Sequence, residues 1–223
     1  ETEKPLLGNA FSGIKGVFTS PYLLGIAGFI ALMTFASTIL YFAQSDLVYS
    51  AMTDRGERTA FLAKIDLTVN ILTIVFEVYL TARLIRWLGV GLTLAVIPAA
   101  VAVGFLALGV YPTLATLVVV QIIYRAGRYG MTKPAREILF TVVSREEKYK
   151  SKAFIDAAVY RGGDLVSGWI YAGLAFVGLS LGTIAMLAAP VAAMWAILGI
   201  RVAAKGDVKA AEMESEKVTM PVA

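Results

Sequence analysis

The chain contains no cysteine and no histidine. Disulfides, thiol chemistry, histidine–metal sites and Ser–His or Cys–His catalysis are therefore excluded within these residues. Charge is also scarce. Only 16% of the 223 residues are charged and 58% are hydrophobic, with a mean hydropathy of +0.75. Soluble domains carry about 25% charged and roughly 45–50% apolar residues. No phosphate-cradling GxxxxGK[ST] loop is present, so ATP hydrolysis is not indicated. No basic-then-apolar leader with a cleavage site opens the chain. The polar lead-in reads as the start of a piece of a longer protein, with a complete chain that has lost its leader as the alternative. No nucleophile–base pair or metal spacing stands out, so no enzyme activity and no cofactor are expected.

What is there is apolar sequence in long runs. An all-α, polytopic membrane protein is expected. A helix needs about 20 residues to cross the hydrocarbon. The first span reads as Tyr22 to Gln44, followed by the polar loop "SDLVYSAMTDRGERTA". Only 16 residues separate Asp66 from Arg83, so the second span must reach back to Ala60 and include Lys64, Asp66 and Glu77. Trp87 to Tyr124 is 38 residues without a charge, too many for one span, and Tyr111-Pro112 is the natural break. The third span is Gly89 to Val110. The fourth is expected to begin at Pro112 as a first-turn proline and to run past Arg125 and Arg128. Leu165 to Ile200 is 36 residues, with a turn at "GLSLG", so the fifth span must begin near Lys152 and the sixth covers Thr183 to Val202.

This gives residues 1–21 as a cytoplasmic lead-in, 22–202 as a six-span bundle and 203–223 as a polar tail, expected to be disordered. Lys4, Lys15, Arg83, Arg86, the run Lys133 to Lys152, Arg201, Lys205 and Lys209 fall on one side. The net charge of +4 is explained this way, with both ends cytoplasmic by the positive-inside rule. The basic residues are spread over short loops, which argues against nucleic acid.

The charges inside the spans carry the functional information. Asp66, Asn70, Thr73, Glu77 and Thr81 recur at steps of four, three, four and four, which is one helix face. Gln121, Tyr124, Arg125 and Arg128 share a face of the fourth span. Asp156, Tyr160, Asp164, Ser167 and Tyr171 share one of the fifth, with Arg161 beside it. Ionisable groups at depth face a cavity or one another. Glu77, Arg125, Arg128, Arg161 and Asp164 are expected to cluster around a water-filled cavity for an anionic solute, because arginine suits phosphate or carboxylate. The alternatives are an Arg161–Asp164 pair that is purely structural, snorkelling for Arg125 and Arg128 and for Lys64 and Asp66, and hydrogen bonding between helices for the polar stripe.

"SPYLLGI", "STILYFAQSDLV", "FLAKIDLTVNILT", "KPAREILFTVVSREEKYKSKAFID" and "VYRGGDLVSGW" resemble the C-terminal half of the ATP/ADP translocase family, the nucleoside triphosphate/diphosphate exchangers. The resemblance covers Pro21 to Trp169 and is strongest from Arg136 onward. It implies spans seven to twelve of a twelve-span, major-facilitator-like fold in a bacterial inner membrane. It also implies nucleotide or related organic-anion exchange by alternating access, and a second six-helix bundle as partner. Lys64, Glu77, Arg161 and Asp164 occupy plausible positions for the family's membrane-embedded charges. The substrate-binding set is then Lys64, Asp66, Asn70, Glu77, Arg125, Arg128, Tyr160, Arg161 and Asp164. The competing expectation is a non-transporting six-span subunit that scaffolds a larger complex.

Overall fold

The computed structural model describes residues 16–219. All regular structure among them is helical, and no strand occurs. Helix α1 spans Pro21–Ala51 and α2 spans Arg55–Val75. A π turn, Phe76–Leu80, leads into α3, Thr81–Val110. Helix α4, Leu114–Gly127, passes through a second π turn, Arg128–Thr132, into the short α5, Lys133–Leu139. Helix α6, Arg145–Phe154, passes through a third, Ile155–Val159, into α7, Tyr160–Phe176. Helix α8 covers Leu181–Thr219.

Local chemistry sets the starts. Ser20, Asp54, Thr113, Ser144 and Ser180 each accept a backbone N–H of the following first turn through the side chain. These bonds satisfy donors that a helix N-terminus leaves orphaned. Ser144 and Glu147 complete a reciprocal capping box. Pro112 therefore lies in the turn before α4 and not in its first turn, because Thr113 takes the cap. The polar stretch after Gln44 is not a loop either. Helix α1 continues to Ala51, and only residues 52–54 separate it from α2.

Gly89 breaks α3. Its φ of 75° and ψ of 173° are a conformation that only glycine adopts without strain. Contacts on either side show that the chain reverses there. Asp66 and Phe76 lie against Arg125 and Gly130, so α2 runs parallel to α4. Ile97 and Gly104 lie against Gly127 and Val120, so residues 90–110 run antiparallel to α4. Helix α1 is antiparallel to α4 (Tyr124 Oη to Met33 O, Gln121 to Gln44) and parallel to α7 (Thr34 against Gly163, Asp46 against Tyr171). Gly91 against Ala203 and Gly109 against Gly182 set residues 90–110 antiparallel to α8. The described chain is thus six helical rods that alternate in direction.

Three helical stretches, Pro21–Ala51, Arg55–Val110 and Leu181–Ser215, are long and apolar enough to cross a membrane. This fits an integral membrane protein. The core lies where α1 meets residues 90–110, α4 and α8. It is centred on fully buried Trp195, whose ring lies 5.5 Å from Phe29 and 6.5 Å from Tyr124. The segment expected to be a disordered tail, 203–223, continues α8 as helix to Thr219, with Ala203 buried and Gly206 against Tyr22, and residues 220–223 lie outside the described residues. The lead-in up to residue 15 lies outside the described residues.

Candidate functional site

A polar seam follows the flank of α1 that faces α4 and α7. Arg128 stands near the middle of it. Its guanidinium lies 5.2 Å from the ring centroids of Tyr129 and Tyr160 and 5.9 Å from that of Tyr124. Its Nη1 donates to Ser37 Oγ and Tyr124 Oη, each at 3.3 Å. No carboxylate reaches ion-pair distance of it among the described residues. Tyrosine faces stabilise a cation without neutralising it, so the positive charge remains available. Ser37 lies 16 residues beyond Pro21, about 24 Å along α1 at 1.5 Å per residue, close to the midpoint of its 31 residues.

Beside Arg128 is a cavity of about 160 Å³ lined by Met33, Arg128, Tyr129, Thr132, Lys133, Arg136 and Tyr160. Arg136 is only 8% exposed. Its Nη2 lies 3.6 Å from Asp156 Oδ1 and 3.7 Å from Glu137 Oε1, while Lys152 Nζ takes Glu137 at 2.6 Å. Burial opposes ionisation of Glu137, yet the Lys152 hydrogen bond and charge, with Arg136 and Lys148, hold its carboxyl below the ordinary value. Further along the seam, a groove of about 340 Å³ is lined by Ser37, Thr38, Tyr41, Phe42, Asp164 and Gly168. It ends where Tyr171 Oη donates to Asp46 Oδ2 at 2.5 Å, with the Tyr171 ring stacked on Phe42.

The expected cluster is therefore only partly assembled. Arg128 and Tyr160 meet at the cavity, and Asp164 lines the adjoining groove. Arg125 does not join them. It binds Asp66 at 2.6 Å. Arg161 and Asp164 form no ion pair. Arg161 is exposed on the bundle surface while Asp164 is half-buried against α1. Lys64, Asn70 and Glu77 are exposed, and neither Lys64 nor Glu77 has an ion-pair partner among the described residues.

The three π turns carry Glu77, then Arg128 with Tyr129 and Thr132, then Asp156. Such turns concentrate at functional positions because the extra residue re-aims side chains. Two of them pack together. Thr81 Oγ1 donates to Gly130 O at 2.5 Å, and a Cβ on Gly130 would lie 2.9 Å from Thr73 O, so only glycine allows this approach. Sequence reasoning missed Arg136, Thr132 and Lys133 as site residues, because they sit in a charge run that reads as a solvated loop. The available signal was the spacing of Ala135, Leu139 and Phe140 around Arg136, which marks a docked face. Among the described residues no group of carboxylates is arranged to hold a metal ion.

Compared with known proteins, the chain matches no family model, no curated protein and no solved structure. The translocase resemblance rests on the sequence segments alone.

Proposed function

We propose that the six rods each cross the membrane and form the C-terminal half of a secondary transporter that exchanges nucleotides or related organic anions. The observation that carries this reading is Arg128, a cation at mid-depth of α1 with no carboxylate partner, opening on a cavity. An ionisable group at that depth is costly and is retained for a pathway or a partner. The alternation of the rods supports six crossings. The reversal at Gly89 and the end of α5 at Leu139 lie at one end of the bundle, beside the middle of α8, where Tyr22 meets Leu139 and Gly206 and Gly91 meets Ala203. Arg83, Arg86, Arg201, Lys205 and Lys209 flank the same end, as a cytoplasmic face in a bacterial inner membrane requires.

In this reading a second six-helix bundle rocks against the surface that bears Glu77 and Arg161, opening the seam to each side in turn. Strict exchange results if the empty site, with its cations unpaired, is too costly to reorient. The test is counter-exchange in proteoliposomes with the complete native protein, preloaded with ADP and offered labelled ATP. Uptake that needs internal nucleotide and disappears in Arg128→Ala, Glu77→Ala or Arg161→Ala supports it. No uptake of any phosphorylated or carboxylated anion by a well-folded preparation sinks it in favour of a non-transporting subunit.

A further inference from the structure

We infer that the cavity beside Arg128 takes a phosphoryl group, and that Asp156 is the built-in counter-ion which the incoming phosphoryl displaces from Arg136. The inference deepens the proposed transport reading and rests on it for the role of the site, though its test does not depend on transport.

Three observations carry it. Arg128, Lys133 and Arg136 all line one cavity, and neither Arg128 nor Lys133 has a carboxylate partner among the described residues. Two polar atoms on lining residues, Thr132 Oγ1 and Arg136 Nε, are buried with no hydrogen-bond partner. Thr132 is 1% exposed and Arg136 8%. Buried donors left unmade are costly and are normally satisfied. Finally, Arg136 is held loosely. Its two carboxylate contacts, at 3.6 and 3.7 Å, exceed the roughly 2.7–2.9 Å of a charge-assisted hydrogen bond. Glu137 is committed to Lys152 instead. The Asp156 side chain is 42% exposed, so water can receive it when it is released.

The chemistry selects phosphoryl over carboxylate. Two guanidiniums, an ammonium and a threonine hydroxyl would use all of the roughly four acceptor sites of one carboxylate at one hydrogen bond each, whereas three phosphoryl oxygens also let the guanidiniums bind as forks. Size sets the limit. A volume of about 160 Å³ is below the roughly 300–1,000 Å³ that encloses a drug-sized ligand. This cavity therefore takes the anionic head, and the rest of the ligand lies outside it.

The experiment is calorimetric titration of the complete protein in detergent, at low ionic strength, with pyrophosphate, inorganic phosphate and citrate. Pyrophosphate should bind and citrate should not. Arg136→Gln should weaken binding by roughly ten- to a hundredfold, the effect of losing a charge-assisted contact. Should that variant fail to fold, Thr132→Val should still weaken binding by roughly three- to tenfold, as loss of a neutral hydrogen bond does. Asp156→Asn should bind more tightly, because the competing carboxylate is gone. A purely structural ion pair predicts the opposite, lower stability and no gain in affinity. Citrate binding as tightly as pyrophosphate, or a normally melting Asp156→Asn variant with unchanged affinity, overturns the inference. Short-chain phosphatidate in the same titration separates the sources: tighter binding than pyrophosphate marks a lipid headgroup, weaker binding a soluble phosphate. This pattern in a protein that exchanges nothing would keep the site and sink the transporter reading. Exchange without this pattern would do the reverse.

Discussion

Residues 90–110 against α8 and the seam of α1, α4 and α7 are built on opposite rules. The first interface is dry. Gly91 meets Ala203, Gly109 meets Gly182, and Gly199 admits Phe29 and Leu94. No side-chain hydrogen bond or ion pair links residues 90–110 to residues 182–203. Small residues bring backbones close, and dispersion holds helices together where lipid is as apolar as the core. The seam is instead joined by polar contacts: Gln121 to Gln44 at 2.6 Å, Tyr124 to Met33, Arg128 to Ser37 and Tyr171 to Asp46. Gapless glycine packing cannot slide without loss, whereas hydrogen bonds can exchange partners or take up water. The difference separates a glycine-packed side of the bundle from a hydrogen-bonded one, and in the proposed transport reading the first is the frame and the second the part that opens.

The sharpest way to break that comparison is Gly182→Val. A Cβ there would lie 2.9 Å from Gly109 O, a backbone atom that cannot turn aside. The frame must part, at a cost of about 1–3 kcal/mol for overpacking. Stability measured by melting in detergent should fall by that amount, while the proposed counter-exchange, per folded molecule, stays near wild type. Lost exchange with unchanged melting would overturn the assignment of this interface as a passive frame in the transport reading. Tyr171→Phe is the next test. It removes the 2.5 Å hydrogen bond to Asp46 but keeps the ring stacked on Phe42 at 4.5 Å. A hydrogen bond to a charged group contributes about 1.5–3 kcal/mol, less where the acceptor is exposed as Asp46 is, so a loss of about 1 kcal/mol is expected. Because this contact pins α1 to α7 at the end remote from Leu139, its loss should also speed hydrogen exchange in residues 44–50. Unaltered exchange there would mean that the stacked rings alone hold the two helices.

How much of the fold and the site is legible in the sequence depends on which physical signal each feature leaves. Charge-free runs and turn residues locate the rods, including the reversal near Gly89 and the break at Tyr111-Pro112. The face shared by Asp156, Tyr160, Asp164, Ser167 and Tyr171 is legible from its spacing. Asp156, Tyr160, Asp164 and Tyr171 do line the seam, from the Arg136 contact to the Asp46 contact, and Ser167 is buried. The π turns leave no signal, since one extra residue per turn changes no composition. Yet the extra residue re-aims the side chains it carries, Glu77, Arg128 and Asp156 among them. Arg161 and Asp164 illustrate a second gap. A separation of three permits a pair but does not require it, and the α1 groove holds Asp164 while Arg161 faces outward. Arg136 illustrates a third. Its burial depends on α5 docking beneath Tyr22, a contact across 117 positions.

The smallest expected effect lies where the seam meets water. Glu137 is bound by Lys152 at 2.6 Å and is still 38% exposed. Its carboxyl is held below the ordinary value of 4.5, so the folded state binds its proton less readily than the unfolded state does. The stabilisation is therefore present above the unfolded value and is lost as pH falls through the lower folded one. Exposure and salt screen the pair, which limits its contribution to about 1 kcal/mol or less. In melting curves taken from pH 7 down to pH 3, the wild type should lose this increment as pH falls below the ordinary value of 4.5. Glu137→Gln should start slightly less stable at pH 7 and decline less steeply, so that the two curves converge at low pH. Parallel curves would show that Lys152 holds the docked segment through contacts other than Glu137. In that case Arg136 would keep its loose hold on Asp156 whether or not Glu137 is engaged elsewhere.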